Sequence, residues 1–419
     1  MAIAQNAIPI SRKDIVAKAI KDNPNRLLAD NEVTMAAADL NKANASIYPD
    51  VNLSYTGIST NNALMAFGSR LNQERITQAD FNPALLNDPA IIQNFTTRIE
   101  VRQPILNMDV KYYRQAAKTK LAAKELQAGR SIADITFQVD QTYLNLQLAY
   151  KQISVLEKAK IAAQENLSVA ENRFKQGYLQ KSDLLAVQLR LNDIDNQLLT
   201  ASNNIRDLSD QLLLLMNDAP GTLYVPSDSL ETPVLPSLAE DIPEDRADFK
   251  AMRLASEAYL LQNEAHKRSH LPRLNAWASY EIHDNSPLTL EGEGYLVGLQ
   301  LTWNITGKKK NNGQFQKSRA EYEQSRIQYD QYLAFNKVEL EKALRQLDNA
   351  RNNITLSEQA IVQSDESLKI RKNRYNQGLE LTNDLLLAES QFAERQLNYY
   401  AAIFQYNLAI AYINYLTTK

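Results

Sequence analysis

The stretch Asn172-Arg173-Phe174-Lys175-Gln176-Gly177, ending in Asp183-Leu184-Leu185, recurs 201 residues later as Asn373-Arg374-Tyr375-Asn376-Gln377-Gly378, ending in Asp384-Leu385-Leu386. Farther upstream, Ser46-Ile47-Tyr48-Pro49-Asp50-Val51-Asn52 is echoed by Ser269-His270-Leu271-Pro272-Arg273-Leu274-Asn275. A period of about 200 residues is too long for a solenoid unit and points to duplication of half a protein. Between the copies lie Pro220, Pro226, Pro233, Pro236 and Pro243, five of the 13 prolines, which mark an irregular connector. The chain therefore divides into a first repeat over 1–217, a connector over 218–245 and a second repeat over 246–419.

Working outward from each tip, residues that are apolar with the one charged exception of Lys160 fall at a strict spacing of seven. Val139, Leu146, Ile153, Lys160, Leu167 and Phe174 precede the first turn, and Leu184, Leu191, Leu198, Ile205 and Leu212 follow it. Leu340, Leu347, Ile354, Ile361, Leu368 and Tyr375 precede the second, and Leu385, Phe392, Tyr399, Tyr406 and Ile413 follow it. A sustained heptad keeps one seam toward a partner helix and specifies coiled-coil packing. Between about Asn107 and Arg173 only Gly129 interrupts the helical pattern, and between about Asn312 and Arg374 only Gly313. At a rise of 1.5 Å per residue such helices reach about 95–100 Å. The return helices, near 182–216 and 383–417, cover about half of that, so the helical segments near 11–46 and 246–270 are expected to complete the other side.

Ahead of each long helix the period changes to two. Tyr295, Val297, Leu299, Leu301, Trp303 and Ile305 point one way, while Gly298, Gln300, Thr302 and Asn304 point the other. A strand of about ten residues with one apolar and one small polar face is what lipid outside and water inside require. The same alternation also suits a half-buried strand of a water-soluble sandwich. Its expected partner is near 273–283, and the first repeat supplies an equivalent pair near 50–58 and 95–106, joined by a loop of some 36 residues. Four strands cannot close a barrel, and open edges are not tolerated in lipid. Membrane strands would therefore have to be shared, eight from two copies or twelve from three, the latter with room for a lumen.

Composition narrows the field further. Glycine is 11 of 419 residues, far below the roughly 7% of an average protein, which disfavours a many-looped α/β enzyme. With 46 Lys+Arg against 49 Asp+Glu, the net charge of −3 gives no reason to expect a nucleic-acid partner. Zero cysteines exclude a disulfide framework, a thiolate metal site and lipidation of an N-terminal cysteine. Met1-Ala2-Ile3-Ala4-Gln5 has neither a basic n-region nor an apolar h-region, which fits a cytosolic protein or a mature form written without its leader. No run of about 18 apolar residues offers a transmembrane helix, although β-barrel strands escape that criterion.

Gly-x-Ser-x-Gly, a phosphate-cradling glycine loop and His-Glu-x-x-His are all missing, so no catalytic residue, cofactor or metal site is expected. His266 and His270 share a helix face, but Lys267 and Arg268 beside them disfavour a cation. Lys308-Lys309-Lys310 reads as a solvated turn.

Taken together, the chain resembles the TolC family of outer-membrane efflux proteins over essentially 11 to 418. The resemblance rests on the duplicated Arg-(Phe/Tyr)-x-x-Gly-x5-Asp-hydrophobic turn, the strand pair before each long helix, and Val139-Asp140-Gln141-Thr142-Tyr143-Leu144. It implies a mainly α protein with a membrane β part: duplicated coiled-coil hairpins and two β-hairpins per chain. As a homotrimer these build a 12-stranded β-barrel in outer-membrane lipid, continued by a 12-helix periplasmic α-barrel. It further implies the exit duct of a tripartite efflux or type I secretion system. Its partners would be a periplasmic adaptor and an inner-membrane pump of RND, ABC or MFS type. A Gram-negative outer-membrane location requires a signal peptide, which is expected to have been removed. A soluble coiled-coil scaffold explains the heptads but not the strands, and a periplasmic adaptor normally carries one hairpin, not two.

By the same resemblance, Arg173, Gly177, Tyr178, Arg374, Gly378 and Leu379 fall at adaptor-docking tips. Glycine there reverses the hairpin through a positive φ. Ser182 and Asp183 take gate-contact positions on the first hairpin, Tyr375 takes one on the second, and Asp384 falls at an aspartate-ring position. Two departures stand out. Glu380 replaces a basic tip residue, which removes an expected salt bridge to Asp183, and Leu387 replaces a second aspartate. The constriction is therefore expected to use Asp384, helped by Glu380 one turn away on the same face. A ring of carboxylates favours cations.

Overall fold

The computed structural model describes residues 7–234, 238–239, 241–289, 291–306 and 311–419. Pro236 of the connector and the Lys308-Lys309-Lys310 turn lie outside the described residues. In chain order the elements are β1 (Ala7–Ile10), α1 (Arg12–Asp22), α2 (Pro24–Ala45), β2 (Asp50–Thr60), α3 (Ala63–Asn72), α4 (Pro83–Asn87) and β3 (Ile92–Leu106). There follow α5 (Met108–Lys175), α6 (Lys181–Leu215), β4 (Leu223–Pro226), α7 (Ala247–Arg268), β5 (Arg273–Asp284), β6 (Gly292–Thr302), α8 (Asn312–Asn376) and α9 (Thr382–Thr417). They form two compact units. One draws on Met1–Val33, Lys124–Ala251 and Gln328–Lys419, the other on Thr34–Ala123 and Met252–Ile327.

The first unit is helical and its core follows the heptads. Val139, Tyr143 and Leu146 of α5 pack with Ile205, Leu208 and Leu212 of α6, with Ile15 and Ala19 of α1, and with Tyr224 of β4. Leu340, Leu347, Tyr406, Ile410 and Ile413 join α8 to α9. Each such buried aliphatic side chain contributes about 1.5–3 kcal/mol. Lys160, the one charge in the heptad column, pairs with Asp195 at 2.6 Å. Two features depart from the sequence reading. The segment near 11–46 breaks at Asn23, because Pro24 offers no N–H and holds the preceding residue extended. Asn23 turns that break into an anchor, donating to the Leu215 carbonyl at 2.8 Å and accepting from Asn25 N–H. The short parallel pairing of β1 with β4 was not anticipated either.

The second unit carries one antiparallel sheet in the order β2-β3-β5-β6. The register writes its two faces as rows. Leu53, Ile99, Tyr280 and Tyr295 stand opposite one another, as do Val51, Val101, Ala278 and Val297. On the other face the rows are Ser54, Arg98, Glu281 and Gly294, then Asp50, Arg102, Trp277 and Gly298. Arg98 pairs with Glu281 at 2.9 Å, and Arg102 pairs with Glu100. The indole of Trp277 lies against Gly298, where an added Cβ would stand 2.9 Å from its Nε1. β6 ends at Thr302, so Trp303 and Ile305 lie past the strand. The expected 36-residue loop holds α3, started by Asn62 accepting from Met65 N–H, and α4, started by Asn82 before Pro83.

Candidate functional site

Both hairpin tips are built by one device. At the end of α5, Tyr178 N–H donates to the Arg173 carbonyl at 2.9 Å and Gly177 N–H to the Phe174 carbonyl at 3.0 Å. At the end of α8, Leu379 N–H donates to Arg374 and Gly378 N–H to Tyr375, both at 2.9 Å. This six-to-one and five-to-two pattern is the Schellman cap, which needs a left-handed residue at its corner. Gly177 has φ 77° and Gly378 φ 76°. The cap leaves Tyr178 and Leu379 projecting, 81% and 64% exposed.

The two tips differ in their charges. At the second, Glu380 accepts from Arg371 Nη1 at 2.7 Å and from Arg374 Nε at 2.8 Å. The expectation that Glu380 shares a helix face with Asp384 is corrected: it sits in the turn before α9 starts at Thr382, drawn back onto α8 by two guanidinium groups. Offset by 201 residues, Leu179 occupies the position equivalent to Glu380, so Arg173 meets no acid in its own turn. It crosses instead to the second hairpin. Its guanidinium lies 4.5 Å over the Tyr375 ring and donates to the Asn376 carbonyl at 3.1 Å. Tyr375 is 3% exposed, and its hydroxyl makes no hydrogen bond among the described residues. The arginine thus clasps the two hairpins through the aromatic face and a main-chain oxygen.

Ser182 is exposed in the first turn of α6, and Asp183 beside it is half-buried. Asp384 occupies the same place in α9. Neither carboxylate has a side-chain partner among the described residues, so each is free to act on solute or on another chain. Deeper in the coiled coil, Asn166 of α5 donates to Glu389 of α9 at 2.5 Å. Burial pushes the Glu389 carboxyl up from its ordinary value, against the Asn166 hydrogen bond and the charges of Lys372 and Arg190.

A buried ionic knot went unseen in the sequence. Arg246, fully buried, grips Asp248 with two bonds of 2.7 Å, and donates to the Leu416 carbonyl and Asn336 Oδ1, each at 2.7 Å. Arg130 donates to the Tyr415 and Thr418 carbonyls at 2.8 and 3.1 Å. Two cations therefore satisfy the last carbonyls of α9, where the helix dipole favours them. Beyond Asp248, two residues on, nothing local flags this arginine; its other partners lie 90 and 170 residues away. In the second unit His266 is engaged by the Tyr113 hydroxyl at 3.1 Å. Among the described residues no group of three or more His, Cys, Asp or Glu is arranged to hold a metal ion.

An apolar-faced sheet in one unit and heptad-packed, glycine-reversed hairpins in the other define a class, the outer-membrane channels with a helical extension. The sequence profile of the outer membrane efflux protein family matches residues 15–218 and 238–414, and the chain belongs to that family. The CmeC outer membrane channel of Campylobacter jejuni shares 16% identity, with a TM-score of 0.84 over 97% of this chain and 85% of that one. VceC of Vibrio cholerae shares 17%, with a TM-score of 0.81 over 97% and 96%. CusC, whose structures are described in terms of folding and transmembrane channel formation, shares 17%, with a TM-score of 0.82 over 99% and 95%. No curated protein sequence matches the chain. The protein is an outer-membrane efflux channel with a periplasmic helical part, and not an enzyme.

Proposed function

We propose that three copies close a shared 12-stranded barrel and 12-helix tunnel that serve as the exit duct of a tripartite efflux or type I secretion system. The duplicated halves, 1–217 and 246–419 about the connector 218–245, supply two hairpins per chain. The observation that carries this reading is the four-stranded sheet. Its rows are apolar on one face and charged on the other, and β2 and β6 each leave one edge unpaired. Open edges are not tolerated in lipid. Copies of the same sheet resolve that, β6 of one against β2 of the next.

The periplasmic adaptor docks on the projecting tip residues Tyr178 and Leu379, beside Arg173, Gly177, Arg374 and Gly378. The inner-membrane pump stands beyond it. Ser182, Asp183, Tyr375 and Asp384 form the entrance, with Asp384 as the ring that favours cations. Glu380 acts there by holding Arg371 and Arg374, which keeps those cations off the ring. Planar-bilayer recording of the purified protein tests the reading. Wild type is expected to be cation-selective and blocked by multivalent cations, and Asp384→Asn to lose both. Unchanged selectivity and block would remove the ring assignment, and a monodisperse monomer that needs no detergent would remove the duct.

A further inference from the structure

The second unit holds a buried polar cluster that the duct reading does not use, where the end of α3 meets the ends of β3 and β5. We propose that it is a binding site for a hard, oxygen-liganded cation of the calcium class, held between Asp284 and Gln73.

Asp284 is fully buried. One carboxylate oxygen, Oδ1, is committed to its own loop, accepting from Glu291 N–H at 2.8 Å and from the Thr289 hydroxyl at 3.0 Å. The other, Oδ2, is buried without a partner, and no cationic side chain pairs with the group among the described residues. Gln73, 1% exposed, caps α3. Its amide nitrogen sits among three acceptors, the Gln93 carbonyl at 3.0 Å, Asn94 Oδ1 at 2.9 Å and the Asp284 carbonyl at 3.1 Å. That fixes the amide, since flipping it would set oxygen against three oxygens. The amide oxygen Oε1 therefore faces the other way, where it too is buried without a partner.

The field here is negative from more than one source. α3 delivers its C-terminal, negative end to the site. Its Asn72 carbonyl presses so close to β6 that a Cβ on Gly292 would lie 2.1 Å away, so only glycine admits the approach. The nearby titratable groups do not supply the missing charge. His283 has Nδ1 committed to the Thr96 hydroxyl at 3.1 Å and Nε2 facing Glu281 at 3.3 Å, and Glu281 is already paired with Arg98.

A buried carboxylate without a counter-ion is costly, and a bridging water brings donors but no charge. A cation supplies the charge that both bare oxygens lack. The bare donors are one carboxylate oxygen and one amide oxygen, hard ligands that suit calcium, with water completing its shell, rather than soft or nitrogen-liganded metals. A single carboxylate places the affinity in the weak range of extracellular calcium modules, about 10⁻⁴–10⁻³ M.

The test uses the purified intact channel in detergent, stripped with chelator and then titrated with calcium chloride. Magnesium chloride and choline chloride at matched ionic strength are the controls. Thermal unfolding is expected to rise with millimolar calcium and to move far less with either control. Hydrogen exchange is expected to slow at 284–292 and at the end of α3. Asp284→Asn is expected to lose both responses while unfolding no earlier than the calcium-free wild type. Because the exchange map is read on wild type, it decides the matter even if the variant does not fold. Calcium-insensitive exchange at 284–292, protection confined to the tips around Asp384, or an equal response in Asp284→Asn would each overturn the site.

Discussion

Arg173→Met removes the guanidinium that joins the two hairpins and keeps an unbranched side chain to cover Tyr375. Two interactions are lost. A cation–π contact at a partly exposed site is worth about 0.5–1 kcal/mol. The charged hydrogen bond to the Asn376 carbonyl adds about 1.5 kcal/mol, the low end of its range because Arg173 is half-exposed. The clasp is therefore worth about 2 kcal/mol per chain, or about 30-fold in the ratio of clasped to released hairpins. If three clasps act independently in a trimer, their free energies add and the ratios multiply, to about 10⁴.

Single-channel recording reads this directly. Arg173→Met is expected to convert a mostly closed channel into one with long openings. Arg173→Lys, which keeps the charge but loses the planar fork, is expected to fall between. Leu179→Glu recreates at the first tip the acid that Glu380 supplies at the second. It should draw Arg173 back into its own turn and open the channel with the arginine still present. Tyr375→Phe keeps the ring and should stay within about 0.5 kcal/mol of wild type, since the hydroxyl bonds nothing described. If Arg173→Met and Leu179→Glu conduct like wild type while Tyr375→Phe opens, the gate rests on the tyrosine hydroxyl and the clasp is refuted.

Arg246→Met leaves Asp248 with only Arg130, whose Nε is 3.9 Å away, and strips donors from Asn336 and Leu416, so a loss of about 3 kcal/mol is expected in denaturant unfolding. Burial opposes ionisation of Asp248, but the Arg246 and Tyr332 hydrogen bonds and the charges of Arg246 and Arg130 hold its carboxyl below the usual value. Its contribution is thus present above the unfolded value of about 3.9 and is lost as pH falls through the lower folded one. Acid titration of stability below about pH 4 should be steeper in wild type than in Asp248→Asn. Glu389 has the opposite sign. Its raised folded value makes the ionised carboxylate a cost that develops as pH rises past about 4.3. Glu389→Gln should accordingly melt higher than wild type at about pH 8 and no differently at about pH 4.

What was legible in the sequence was periodic or repeated. Heptads placed α5, α6, α8 and α9 because one apolar position in seven is enough to define a seam. Alternation placed β6, and its partner and the equivalent pair of the first repeat followed from it, although β6 ends at Thr302 while the alternation runs on to Ile305. Less visible was whatever depends on distant pairing. The β3–β5 ladder, which makes one sheet of two hairpins, joins residues some 170 to 190 apart and has no local signature. Arg246 lies in a polar stretch like any surface arginine, and only the end of α9 shows why it is buried. α3 and α4 were missed for a different reason. Their caps, Asn62 and Asn82-Pro83, were in plain view, but helices of ten and five residues carry too little periodicity to be noticed.

The repeat itself explains why the clasp runs in one direction. Reversing a helix through a Schellman cap constrains the glycine and the main chain, and both tips keep these. It leaves the flanking side chains free to diverge. Position for position, Ala170, Phe174 and Leu179 of the first tip face Arg371, Tyr375 and Glu380 of the second. Glu380 occupies two cations of its own hairpin, so Arg374 has no call to cross, while Arg173 has no acid to hold it back. The aromatic positions have parted in the same sense: Tyr375 is 3% exposed beneath the guanidinium, whereas Phe174 is 39% exposed. A symmetric pair of arginine crossings would have doubled the contribution that the tips make to holding the hairpins together. The single arginine crossing at the tips adds about 2 kcal/mol per chain to what holds the hairpins together deeper in the coiled coil, where Lys372 pairs with Glu165 at 3.7 Å and Asn166 donates to Glu389. On the proposed function, that tip contribution is what keeps the resting entrance shut and what a partner docking at Tyr178 and Leu379 has to overcome.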